Sequence, residues 1–389
     1  MYKIKALNKI SDIIYEQMPK AEYAVSEGEE APDAVLVRSA SMHEWAVPDS
    51  LLAVARAGAG VNNIPIPEYT KLGIAVFNTP GANANAVAEL VVLGMLMSGR
   101  KVIDGIEWVK TLKGQPDVPK LVEKGKGQFV GPELRGKTLG VIGLGAIGVL
   151  VANAAATGLG MEVLGVDPFI SVQSAWTLSR SVKRVNSIEE MLAKSDFVSV
   201  HVPLTKDTKG MFGDKYFAQM KDGAHLLNFS RAELVDSGAV KAALAAGKLA
   251  TYVTDFPTDE MLDVKGAICI PHLGASTPES EENCAVMAAE ELRDYLEHGI
   301  IHNSVNLPEL RLGAPEGHRI QIIHENVSGV VQQISGVIAG RGMNIAAMLN
   351  KSRDEIAVTV LETDEAPDEA LLKALADVAQ VVRVRLVGA

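Results

Sequence analysis

From Lys137 to His272 the chain repeats one pattern: an apolar run of strand length, a turn, then a helical segment. Apolar runs stand at Leu139–Ile142, Glu162–Val166, Phe197–His201, His225–Phe229, Tyr252–Asp255 and Ala267–Pro271. Most are apolar nearly throughout, which marks strands buried on both faces. Between them lie segments such as Ile188–Ala193, opened by Ser187 with Glu190 three residues on, a helix-capping pattern. Strands alternating with helices in this way leave few solutions besides a doubly wound parallel sheet.

The first unit holds Gly143-Leu144-Gly145-Ala146-Ile147-Gly148, a G-x-G-x-x-G run between strand and helix. The pattern is weak alone and gains meaning from that context. Gly143 permits a tight turn, Gly145 lets backbone approach a pyrophosphate, and Gly148 lets helix pack on strand. Asp167 ends the next strand, nineteen residues past Gly148. A carboxylate there accepts from ribose hydroxyls and repels a 2′-phosphate, so NAD is expected over NADP. The uncharged stretch Thr138–Met161 is long enough for a membrane span. Its glycines and its switch from strand to helix argue against that reading.

On either side the pattern changes. Ala34–Val37 and Ala75–Phe77 read as buried strands, and Ala84–Arg100 as a helix apolar almost all round, expected at a domain or subunit contact. Lys110–Lys137 reads as a surface crossing. A long helix follows the sheet, with Thr277 as cap, Pro278 at its first position and Gly299 at its end. Its place suggests a return to the first domain. Asn306–Gly317 is aperiodic and reads as a linker. Beyond it come strand-like Arg319–His324, a helical stripe from Val330 to Ile338, strands near Asn344–Leu349 and Ile356–Leu361, a helix from Asp368, and a strand at Val381–Leu386. That order, βαββαβ, is a ferredoxin-like module. The expected architecture is a Rossmann-type domain (96–273) inserted in a second α/β domain (1–95 and 274–305), then a linker (306–316) and a C-terminal module (317–389).

A net charge of −11 and a pI near 5.3 argue against a phosphate-binding surface for nucleic acid. With two cysteines, Cys269 and Cys284, and no ligand-spaced Cys/His cluster, neither a disulfide framework nor a metal site is expected. The N-terminal residues lack the apolar core of a secretory signal, so the expected location is the cytoplasm, with no membrane partner.

Three polar residues stand at or just past strand ends of the sheet: Arg231, Glu260 and His272. Oxidising a 2-hydroxy acid needs a base for the hydroxyl proton and a cation for the carboxylate and the reacting oxygen. A histidine paired to a glutamate suits the first need, because the carboxylate stabilises the imidazolium. An arginine fork suits the second. From spacing alone a structural histidine stays open as a reading.

Together these residues resemble the D-isomer-specific 2-hydroxyacid dehydrogenase family. Asp255 and Glu260 keep the family's D-x-x-x-x-E spacing, whereas a shifted register would place the acid at Asp259. Pro271-His272-Leu273-Gly274-Ala275-Ser276-Thr277 resembles the histidine signature, and Asn78-Thr79-Pro80-Gly81 the substrate-side turn. The resemblance implies Arg231, Glu260 and His272 as catalytic residues, with Asp255 holding the nicotinamide amide. It places Thr79, Val202, Phe229, Ser230, Gly274 and Ala275 along the cofactor, beside Ala146, Ile147 and Asp167. The turn Gly60-Val61-Asn62-Asn63 would offer amides to the substrate carboxylate, and Arg38, beside Ser39, would meet a substrate phosphate. Within the family the chain is similar to members that oxidise 3-phospho-D-glycerate and carry a C-terminal ACT domain.

The C-terminal module resembles that ACT domain. His324, Asn326 and Asn344 match positions that hold serine in serine-inhibited members, which makes serine the expected effector; Ser328 departs from the family's usual proline. Homo-oligomerisation is expected. Two other functions stay open from sequence: another D-2-hydroxyacid dehydrogenase acting on glycerate, lactate or a related acid, and an NAD-sensing scaffold similar to the C-terminal-binding-protein corepressors.

Overall fold

The computed structural model describes residues 1–313, 315 and 317–388. Positions 314 and 316 of the expected linker, and 389 at the end of the expected C-terminal module, lie outside the described residues.

The chain opens with β1 (Tyr2–Ala6), α1 (Ile14–Gln17), β2 (Tyr23–Ser26), β3 (Ala34–Val37), β4 (Ala53–Arg56), α2 (Ile66–Lys71) and β5 (Ala75–Asn78). These five strands run parallel in the order β2-β1-β3-β4-β5. All four residues of β3 are buried, as an apolar run between two covered faces requires. Apolar pattern alone singled out β3 and β5; β1, β2 and β4 complete the sheet.

The next unit begins with α3 (Ala84–Arg100), α4 (Val102–Thr111) and α5 (Val118–Gly125). On α3, Val87, Ala88, Val91 and Met95 enter the core, whereas Leu93 and Leu96 are exposed. Small residues let one face pack closely, and the other face of this helix points outward from the single chain. The expected surface crossing also holds structure, since α5 forms with Pro119 in its first turn and buries none of its residues.

The sheet of this unit contains β6 (Thr138–Ile142), β7 (Glu162–Val166), β8 (Val182–Arg184), β9 (Phe197–Val200), β10 (Ala224–Asn228), β11 (Leu249–Thr254) and β12 (Ala267–Cys269). Among them run α6 (Ala146–Asn153), α7 (Val172–Thr177), α8 (Ile188–Lys194), α9 (Asp214–Gln219) and α10 (Ser237–Ala245). The seven strands are parallel in the order β12-β11-β10-β9-β6-β7-β8, the doubly wound arrangement, with β8 added to the six expected. Ser187 caps α8 by accepting from Glu190 N at 3.1 Å. Strand order reverses between β6 and β9, the switch point where such sheets bind ligands. No helix among the described residues is long and apolar enough to cross a membrane.

α11 (Pro278–His298) follows, with Thr277 Oγ1 accepting from Ser280 N at 3.1 Å. Gly299 ends it at φ 67°. Its Ala285, Ala288, Leu292, Tyr295 and Leu296 share one core with Ile4, Leu36, Ala55 and Phe77 of the first sheet. This helix therefore packs on the first sheet.

The C-terminal module is β13 (His318–Glu325), α12 (Val330–Gly340), β14 (Ile345–Arg353), β15 (Ile356–Thr363), α13 (Glu369–Ala376) and β16 (Val381–Leu386). Its antiparallel sheet has the order β14-β15-β13-β16. Ile320, Ile322 and Leu361 pack with both helices, while Ile323, Val358 and Val360 join the core around Ile4 and α11. Arg319, buried and ion-paired with Glu362 at 2.5 Å, donates to His298 O, and Gln321 donates to Gly299 O at 2.9 Å. Arg385 caps further carbonyls at Tyr295 and Leu296, where the helix dipole favours a cation.

The expected linker begins as part of this core and is corrected on that point. Leu307 and Leu310 are fully buried, and the Asn306 side chain accepts from Val76 N and donates to Ile74 O. By contact the molecule divides into one unit of residues 1–82 with the segment from Glu281 onward, and another of residues 83–280.

Candidate active site

The glycine run forms the turn from β6 into α6. Gly143 sits at φ 86°, and a Cβ there would lie 2.4 Å from His201 O at the end of β9. A Cβ at Gly148 would lie 1.9 Å from Gly143 O, so neither position admits a side chain. Around Gly145 the space is open, and Ala146 and Ile147 start the helix. Asp167, just past β7, accepts from Leu144 N and from Phe169 N, each at 2.8 Å. The two bonds fix its carboxylate beside the turn, and a second lone pair remains on each oxygen. Val202 is half-buried next to His201. Burial pulls the His201 imidazole down to about 4, and Nε2 shares a hydrogen bond with Ser199 Oγ at 2.8 Å. This histidine is therefore neutral at pH 7.

At the carboxyl ends of β10 and β11 the sheet gathers charged groups. Asn228, fully buried, donates to Arg231 O at 2.8 Å and accepts from Ser230 N at 3.2 Å. Ser230 Oγ donates to Val200 O at 2.8 Å, and Phe229 is buried in the core. These bonds set the backbone of Arg231, whose guanidinium carbon lies 5.3 Å from the centre of the Phe256 ring. The His272 ring lies 4.4 Å from the same ring, centre to centre. Arg231 and His272 thus pack on one aromatic side chain.

Asp255 is 1% exposed and its Oδ1 has no partner among the described residues. Burial pushes its carboxyl up to about 6, against the opposing pull of Arg231. Gly274, before half-buried Ala275, approaches closely: a Cβ there would lie 3.4 Å from Asp255 Oδ2. Glu260 Oε2 accepts from Lys241 Nζ at 3.2 Å, and its side chain is 62% exposed.

In the other unit, the remaining expected residues follow three adjacent strands of the first sheet. Arg38 and Ser39 follow β3, Val61, Asn62 and Asn63 lie beyond β4, and Thr79 follows β5. Asn8 accepts from Arg38 N at 3.0 Å and donates to Ser39 Oγ at 3.4 Å. Asn63 donates to Ala40 O at 2.7 Å, and His43 shares a hydrogen bond with Asn62 O at 3.0 Å, so the turn is braced. Thr79 is fully buried, with Oγ1 unpartnered among the described residues. Arg38 Nη1 is ion-paired with Glu281 Oε1 of α11 at 2.7 Å.

In the C-terminal module, His324 is 2% exposed. Its Nδ1 bonds with Glu325 O, and its Nε2 with Thr359 Oγ1 and Asn350 Oδ1. Asn326 donates to Asp354 O at 3.1 Å and Asn344 to Asp364 Oδ2 at 2.9 Å.

Sequence reasoning passed over Asn228 and Phe256. The first had a signal, a carboxamide ending the apolar run Leu226-Leu227; the second had none, because its partners lie 25 and 16 positions away. A turn closed to Cβ atoms, an adjacent carboxylate and the unpartnered oxygen of buried Asp255 fit a nicotinamide dinucleotide.

Comparison with known proteins bears on the same segments. The family model described as D-isomer specific 2-hydroxyacid dehydrogenase, NAD binding domain, matches residues 92–274, and the ACT domain matches residues 318–380. D-3-phosphoglycerate dehydrogenase of Escherichia coli K12 is 32% identical over 357 residues, 87% of this chain and 82% of that one. The protein of that name from Archaeoglobus fulgidus is 36% identical over 304 residues, 76% of this chain; the match spans about half, 53%, of that longer relative. Among solved structures, NAD-bound 3-phosphoglycerate dehydrogenase of Entamoeba histolytica superposes with a TM-score of 0.61 at 27% identity, covering 79% of this chain and 99% of that one. Apo D-mandelate dehydrogenase of Rhodotorula graminis shares the fold, with a TM-score of 0.67 at 23% identity over 81% of this chain and 99% of that one.

Proposed function

The chain belongs to the D-isomer specific 2-hydroxyacid dehydrogenase family and carries its NAD-binding domain, and we propose that it oxidises 3-phospho-D-glycerate to 3-phosphohydroxypyruvate, the first step of serine biosynthesis. The names of its relatives in Escherichia coli and Archaeoglobus fulgidus support the substrate. Bound NAD supplies the acceptor for the hydride that leaves C2. His272 takes the C2 hydroxyl proton on its imidazole, so that a carbonyl forms as the hydride departs. Arg231 clamps the carboxylate and the oxygen on which charge changes. Glu260 orients His272. Asp255, buried and with one oxygen to spare, takes the nicotinamide carboxamide, and Asp167 takes the adenosine ribose. Thr79, Val202, Phe229, Ser230, Gly274 and Ala275 line the cofactor, and the Gly143–Gly148 turn cradles its phosphates. Val61, Asn62 and Asn63 offer their turn to the carboxylate, and Arg38 with Ser39 receives the phosphate.

The observation that carries this reading is the shared packing of Arg231 and His272 on Phe256, beside a buried carboxyl. The test is NADH consumption with 3-phosphohydroxypyruvate, for wild type and His272→Gln. Wild-type turnover, lost in the variant while NADH still binds, is the expected result. A wild-type chain that binds NADH and turns over no 2-oxo acid would overturn the reading in favour of an NAD-sensing scaffold.

For the ACT domain the proposed effector is serine, at His324, Asn326 and Asn344. His324 already bonds within the domain through both ring nitrogens, so serine must replace one of those bonds to reach its imidazole. Repeating the assay with saturating serine decides this: lost activity or a raised Tm is expected, and no change in either excludes serine binding.

A further inference from the structure

The Arg38–Glu281 ion pair points to a further determinant of specificity. Arg38 leaves the carboxyl end of β3, and Asn8 holds its backbone in place. Glu281 lies in the first turn of α11, where the helix dipole favours an anion. The two side chains meet at 2.7 Å, a charge-assisted hydrogen bond, and remain 35% and 42% exposed.

We propose that the Glu281 carboxylate stands in for the substrate phosphate on Arg38 and is exchanged for it on binding, which makes Glu281 a specificity-determining residue. The inference rests on the reading that a substrate phosphate goes to Arg38. Two physical points support the exchange. A half-exposed ion pair is weak enough to open, since water stabilises both groups when they part. A phosphate monoester carries about −1.5 to −2 charges near pH 7 and three acceptor oxygens, so it outbids one carboxylate for a guanidinium. After the exchange Glu281 remains anchored on α11, and its negative charge stays near the incoming phosphate. The penalty falls on substrates with an anionic tail. A 2-oxo acid ending in a hydroxyl leaves the pair intact and escapes it.

The experiment compares 3-phosphohydroxypyruvate with hydroxypyruvate at low salt for wild type, Glu281→Gln and Glu281→Ala, each checked by thermal melting. Both variants should lower KM for the phosphorylated substrate by about fivefold, with little change in KM for hydroxypyruvate. Equal shifts for the two substrates, or an unchanged ratio of their kcat/KM values, would overturn the proposal. Calorimetric titration with 3-phospho-D-glycerate gives the same comparison without turnover. There the variants should bind more tightly by a similar factor, and equal affinity would count against Glu281. Failure of the dehydrogenase reading looks different: the wild type then turns over neither substrate.

Discussion

Phe256 carries the residue-scale argument. An aromatic face attracts a guanidinium and fixes an imbidazole-sized ring beside it, and Phe256 contacts both Arg231 and His272. Replacing it with alanine removes a packing surface shared by two groups whose placement matters to within about an ångström, a displacement worth roughly 100-fold in rate. Phe256→Ala should therefore lower kcat/KM by about 10- to 100-fold in steady-state assays, and weaken NADH binding, followed by fluorescence, far less. A kcat/KM within about twofold of wild type would remove Phe256 from the account. Neither this contact nor the Arg38–Glu281 pair was legible in the sequence. The latter joins residues 243 positions apart, and nothing local in the sequence links them. The glycine turn, Asp167, Arg231 and His272 were legible because each has a fixed offset from a strand end.

At the scale of elements, α11 holds an ionisable group in an unfavourable place. Glu291 is 4% exposed; its Oε1 accepts from Asn303, and its Oε2 has no partner among the described residues. Burial, together with Glu290 and Asp294, pushes its carboxyl up to about 8 from an ordinary 4.5, with the Asn303 bond opposing. The folded chain therefore keeps a proton that the unfolded chain gives up. Stability contributed by protonated Glu291 is present below about pH 4.5 and is lost as pH rises through about 8. Glu291→Gln should flatten this dependence and raise Tm at pH 8 by about 2–4 °C more than at pH 5, by calorimetry. An equal effect at both pH values would contradict the shift. Legibility differed among strands for a physical reason. β6, β7 and β9 to β11 are buried mostly on both faces and read as apolar runs. β1 alternates lysine with apolar residues, and β8 is a three-residue edge strand with two charges, so neither gave such a run.

At the scale of the whole molecule, the order of the segments was legible and their fusion was not. The pattern βαββαβ identified the C-terminal module, yet nothing local showed that Ile323, Val358 and Val360 on one of its faces share a core with Ile4 and α11. A sheet with helices on one face leaves the other apolar face to be covered, and the partner is chosen by packing at long range. The same fusion absorbs Leu307 and Leu310 from what reads as a linker. The central claim is chemical: the hydrogen on C2 of a 2-hydroxy acid passes as hydride to NAD. Supplying 3-phospho-D-glycerate deuterated at C2 with NAD and analysing the nicotinamide by mass spectrometry tests it most directly. One deuterium per reduced cofactor is the predicted result, and reduced cofactor without deuterium, or no reduction at all, would contradict the account.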